Sequence, residues 1–322
     1  MADLPRPARR LTPALHEALI PLVALAAGLG VAFPHASHWL RPAVPVMLAG
    51  QVAGVALTVT VRQFRPVLAR PVPIVAALAA QWLLFPLFGY LLLRANGADL
   101  AGQGAFIVAV SPAEITSALV AVLAGGTAAT ATVLMTASVG TGCVLTPLWL
   151  SLLGRHAGTV DRWSIVFELV VSVTLPLVVG VLIRSRSAMV ALHPRRCLDL
   201  AGISLLLVVF VGAGAARPLL LSSRIGEAAL FAVALVVWGG GLGAAVGSAI
   251  GRTRPVRLGL AFPVGMREFG IATAVALSIA PNAAGFGGLY GIIMMLSSAG
   301  VAHVLRRRGT DRVDGHEGPR SP

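Results

Sequence analysis

The chain reads as an all-α integral membrane protein of about ten transmembrane helices, built as two five-helix inverted repeats with broken crossing helices 4 and 9. Three observations predict this. Apolar residues make up 57% of the 322 residues and charged residues only 11%, against about 25% charged in soluble domains. Ten apolar runs of roughly twenty residues follow one another, each able at 1.5 Å per residue to cross ~30 Å of hydrocarbon. Runs four and nine, at equivalent places in the two halves, each combine a proline with embedded charge.

The runs lie near 14–33, 42–61, 72–93, 104–124, 128–153, 163–183, 198–216, 226–250, 256–280 and 284–305. Run 1 follows Arg9 and Arg10, the kind of start that a secretory signal also has. Its removal would invert the arginine asymmetry of everything downstream, so it is read as a retained span. Run 3 carries Gln81 in an otherwise apolar stretch, and run 8 carries Gly239, Gly240, Gly241 and Gly243, small residues that suit close helix packing. Run 10 ends at Arg306, Arg307 and Arg308. The connectors are too short for a soluble domain of ~50 residues. Residues 1–308 therefore form a single membrane transport domain, with repeats at about 14–153 and 163–305, and 309–322 is a polar cytoplasmic tail expected to be disordered.

The formal charge of +13 comes entirely from arginine, and its sidedness points to a bilayer rather than to nucleic acid. With the N-terminus inside, eighteen arginines fall in inner segments and six in outer ones, leaving Arg267 within a span. The positive-inside rule then predicts both termini cytoplasmic in a bacterial-type inner membrane. No phosphate-loop, HExxH or paired Cys and His spacing is present, and Cys143 and Cys197 are too few and too far apart for a disulfide or metal framework. Neither an enzyme nor a cofactor or metal is indicated.

Chemistry concentrates in runs 4 and 9. Glu114 sits ten residues past Gly104, roughly 15 Å deep, and Arg267 and Glu268 lie at matching depth in run 9. A charge at the bilayer centre costs ~2.5–3.5 kcal/mol or more, so it persists only when paired or facing a polar cavity. Pro112 and Pro263 each remove a backbone donor and free carbonyls that could line a site. The expectations are that both spans are interrupted near these prolines, that the breaks meet at mid-membrane, that Gln81, Thr116 and Ser117 face a cavity, and that Arg267 pairs with Glu114 or Glu268.

The segments SPAEITSALVAVLAGGTAATATVLMTASVGTGCVLTP, LPLVVGVLIR and PVGMREFGIATAVALS resemble, in order, signatures of the bile acid:sodium symporter family, which is distantly related to arsenite permeases. The resemblance implies a panel and a core domain, unwound spans 4 and 9, and alternating access for a small organic anion driven by sodium. Gln81 and Ser117 stand where the family ligates sodium. Ala118, Ala131 and Met135 replace other ligands, and around Met266 the polar pair of the motif is replaced by Pro263 and Arg267, with Glu268 next. These losses predict a secondary transporter that is sodium-independent or proton-coupled, with Arg267 as a built-in cation. An arsenite-type permease is the nearest alternative, but the cysteine it requires at the break is here Ser111. A non-transporting membrane sensor on the same fold is the other.

Overall fold

Helix satisfies every backbone N–H and C=O within its own segment, which an apolar surrounding demands, and the apolar runs fold accordingly. The computed structural model describes residues 13–60, 62, 71–95, 99–153, 162–186 and 194–314. The helices are α1 (Pro13–Ala32), α2 (Pro34–Leu40), α3 (Val44–Ala56), α4 (Val72–Ala95), α5 (Leu100–Ala109), α6 (Ser117–Leu123), α7 (Ala128–Leu153), α8 (Arg162–Leu169), α9 (Leu175–Arg186), α10 (Pro194–Leu220), α11 (Ile225–Ile250), α12 (Arg254–Gly265), α13 (Phe269–Ile279) and α14 (Ala284–Asp314). A π-helical turn, Val170–Thr174, joins α8 to α9.

Among the described residues, five helices are long and apolar enough to cross a membrane: Val72–Ala95, Ala128–Leu152, Asp199–Leu220, Ile225–Ile250 and Pro281–Arg307. The outer surface agrees. Leu91, Val144, Phe167 and Val237 are more than 60% exposed, whereas Gln81, Glu114, Arg267 and Glu268 are fully buried. Polar groups inside and large apolar side chains outside suit a protein whose solvent is lipid. The protein is an all-helical, multi-pass membrane protein.

Two packed groups make up the molecule. Helices α1, α2, α3, α9 and α10 pack together, while α4–α7 and α11–α14 form the other group, with α10 against α14 joining them. Within the second group, α11 lies directly on α12. A Cβ on Gly239 would overlap the backbone of Gly265 and one on Gly243 the backbone of Ala261, while Gly240 and Gly241 face open space. The glycine cluster is thus a packing stripe of small residues that lets two backbones touch.

Prolines alone do not break these helices. Pro86 lies inside α4, Pro147 inside α7 and Pro263 inside α12, and the run-9 interruption falls three residues after Pro263, at Met266–Glu268. At its far end α14 runs on to Asp314, six residues into the segment expected to be irregular. Residues 315–322 lie outside the described residues.

Candidate functional site

Helix α5 begins at Asp99, whose side chain accepts the Gly102 N–H at 2.9 Å, and stops where Pro112 cannot supply the next N–H. Between α5 and α6 the chain is extended, and between α12 and α13 it is extended again, with Met266 at φ −102°, ψ 133°. These two stretches meet. Glu114 N donates to Met266 O at 3.0 Å and Glu268 N donates to Pro112 O at 3.0 Å, closing an antiparallel bridge between Ala113 and Arg267. Each broken helix therefore supplies the hydrogen-bond partners that the other lost, which is what makes both breaks tolerable in an apolar interior. Helix α7 supplies more: Ser138 Oγ accepts the Ala113 N–H at 2.9 Å, and Thr146 Oγ1 donates to Val110 O at 2.7 Å.

Arg267 is fully buried and makes no ion pair with Glu114 or Glu268, contrary to the expectation from sequence. Its guanidinium points the other way. Nη1 donates to Ser111 O at 2.9 Å and Nη2 to Gln81 O at 3.1 Å. The ring of Phe85 lies 3.9 Å from the guanidinium carbon and that of Trp82 5.9 Å, so two aromatic faces share the charge. Gln81 in turn donates its side-chain amide to Pro263 O at 3.1 Å, and Tyr290 Oη accepts the Arg267 backbone N–H at 3.3 Å. The physical reason is that the carbonyl released at Ser111 and the Gln81 carbonyl of α4 present concentrated negative dipoles on the α4 side of the crossing. The guanidinium fork takes two carbonyl acceptors there, while the carboxyls face the opposite side.

Those carboxyls are held by backbone donors. Glu268 caps α13, its Oε1 accepting the Gly270 N–H at 3.2 Å, and its Oε2 accepts the Ile115 N–H at 3.0 Å. Glu114 Oε1 accepts from the Thr116 N–H at 3.3 Å and from the Thr116 hydroxyl at 3.2 Å. Next to them lies a cavity of about 240 Å³ between α3 and α10 on one side and α6 and α7 on the other. Gln51, Thr58, Thr116 and Thr132 give it polar atoms, and Val55, Leu119, Met135 and Leu205 give it apolar walls. Neither Gln51 side-chain polar atom has a partner, although the residue is 1% exposed. A second cavity of about 350 Å³ lies among α11, α12 and α14. Its walls include Met266 but none of the unpartnered buried groups.

The crossing thus gathers Gln81, Pro112, Glu114, Pro263, Met266, Arg267 and Glu268 into one network. Of the three residues expected to face the cavity, only Thr116 lines it. Gln81 and Ser117 are fully buried behind it, because the carbonyl cage around Arg267 occupies Gln81. Ser111, at the position of the arsenite permeases' cysteine, donates its hydroxyl to Ile107 O at 2.9 Å. Sequence reasoning missed Gln51, Ser138 and Tyr290. Gln51 was the most findable, being the one carboxamide in run 2.

The sequence profile of the sodium bile acid symporter family matches residues 45–222. Two curated proteins of Bacillus subtilis (strain 168) are similar over most of their length. One, described as the uncharacterized sodium-dependent transporter YocS, is 25% identical over 269 residues, covering 79% of this chain and 82% of its own. The other, described as the uncharacterized protein YbaS, is 24% identical over 262 residues, covering 79% and 85%.

Proposed function

The chain belongs to the sodium bile acid symporter family, and from that premise we propose that it carries a small organic anion across the membrane by alternating access without using sodium. That the protein is a secondary transporter follows from the family, whose members are transporters rather than enzymes. The two halves act as inverted repeats of five spans each, with the broken helices α5–α6 and α12–α13 as symmetry mates. The arginine-rich ends face the cytoplasm of a bacterial-type inner membrane. Helices α1–α3, α9 and α10 then form the panel and the remaining helices the core. The solute occupies the cavity where the two meet.

One observation carries the reading: the Arg267 guanidinium is locked onto the carbonyls of Ser111 and Gln81 at the crossing. Hard carbonyl oxygens at this spot are what a sodium ion would take, and a permanently charged fork already fills them. A second cation beside it would be repelled in a low dielectric. YocS is described as sodium-dependent, but at 25% identity its ligands do not transfer, and Arg267 speaks against the same coupling here. At about 240 Å³ the cavity is smaller than the ~300–1,000 Å³ typical of drug-sized ligands. That supports a small solute, with the unpartnered Gln51 amide available to its carboxylate.

The test is a thermal-shift screen of the purified protein against small carboxylates and inorganic anions, with sodium or choline as counterion. A ligand of the folded state present at ~100 times its Kd adds about 2.7 kcal/mol of stability. The expected result is stabilisation by a small carboxylate to the same extent in both cations. Stabilisation that appears only with sodium would contradict the reading.

A further inference from the structure

Two adjacent backbone donors at the crossing are held by two different acids. The Ile115 N–H goes to Glu268 Oε2 and the Thr116 N–H to Glu114 Oε1. This sets the two carboxyl groups side by side, on donors of neighbouring residues. Both residues are 0% exposed, and among the described residues neither forms an ion pair. Both oxygens of Glu268 and Oε1 of Glu114 have donors. Glu114 Oε2 has none.

Two ionised carboxylates that close, away from water and without a counterion, repel each other strongly, and such pairs titrate as a unit. A proton on Glu114 Oε2 donated to Glu268 removes the repulsion and gives the orphan oxygen its partner. It also balances the midplane, since the pair then carries one negative charge against the one positive charge of Arg267. We propose that Glu114 and Glu268 form a single proton-binding site at the crossing, with Thr116 as its contact to the cavity, and that the coupling proton of transport loads there.

The surroundings fit a site governed by the pair itself. The titratable groups facing it are Arg267 from the same crossing and Tyr290 from α14, whose Oη accepts the Arg267 N–H. Helices α3, α5, α6 and α13 contain no titratable side chain. On α7, Cys143 is engaged with Thr174 and with Leu169 O, and the ionisable residues of α10 and α12 sit within the first six residues or the last turn of their helices. The Thr116 hydroxyl bonds Glu114 Oε1 and also lines the cavity, so its rotation connects the acid pair to cavity water. Loading moves one proton from that water onto the pair, which becomes neutral. The positive charge of Arg267 is then uncompensated, and an anion in the cavity is favoured. Release returns the proton to water on the opposite side, and only O–H bonds form or break.

The coupling step rests on the proposed transport of an anion, but the proton site does not, so its first test uses no solute. Infrared spectra of the full-length protein in liposomes at neutral pH should show a buried protonated carboxyl C=O band that shifts in heavy water. Glu114→Gln should abolish the band, because its amide donates to an ionised Glu268, while Glu114→Asp should keep it. Monodisperse elution shows that each variant folds. Absence of the band in the wild type, or its survival in Glu114→Gln, overturns the proposal. The second test adds the carboxylate that stabilises the protein best to weakly buffered protein. Binding should take up about one proton in the wild type and none in Glu114→Gln, and binding without proton uptake in the wild type overturns the coupling role.

Discussion

At the crossing, Arg267 and Gln51 do opposite jobs. Arg267 is spent on the fold: its Nη1 and Nη2 donors are taken by the carbonyls of Ser111 and Gln81 and its face by Phe85, while Nε is left without a partner. Arg267→Gln leaves those carbonyls buried and unpaired, which costs about 1–3 kcal/mol for each group. A fall in melting temperature of the purified variant checks this, and wild-type stability would contradict it. Arg267→Lys keeps the charge but loses the fork, so it should recover only part of the loss. Gln51 is the reverse case. Its amide is buried against the cavity with no hydrogen bond to either atom, so no protein hydrogen bond depends on it. Gln51→Leu should therefore leave melting temperature unchanged or raised, while weakening binding of the stabilising carboxylate about tenfold, the equivalent of ~1.4 kcal/mol. Equal affinity in the variant would remove Gln51 from the solute site.

The elements that matter most are the two interrupted helices and the glycine face that seats one of them. Gly243 lies where any Cβ meets the backbone of Ala261, and backbone cannot swing aside as a side chain can. Gly243→Val should destabilise by about 1–3 kcal/mol or more through overpacking. Gly241→Val, facing open space on the same helix, should be near neutral, and the pair of melting curves checks the packing stripe. The breaks were legible in the sequence because proline and charge coincide at equal depth, a combination that lipid-facing helices avoid. Their mutual bonding was not legible. Periodicity reports what each helix does alone, and nothing in it says that the Glu114 N–H finds Met266 O. For the same reason the depth of Arg267 was readable but its partners were not. Equal depth suggested pairing with acids, whereas the direction of each side chain depends on how two extended strands cross. Pro263 lies inside the helix, just before the break, and its own carbonyl, left free where the Arg267 N–H turns to Tyr290, is taken by the Gln81 amide.

For the whole molecule, apolar composition and run length sufficed to predict a helical membrane protein, and family membership makes it a transporter. The division into two packed helix groups, with the cavity at their junction, gives that function a physical route. Rocking one group against the other would expose the Thr116 side of the crossing to alternate faces of the membrane. The central claim is that a fixed guanidinium has replaced sodium at the pivot of this motion. It is tested most directly by melting temperature in detergent against rising sodium chloride, with choline chloride at equal ionic strength as control. The account predicts superimposable curves for the wild-type protein in the two salts. A saturable, sodium-specific rise would mean that the ion still binds beside Arg267 and would contradict it.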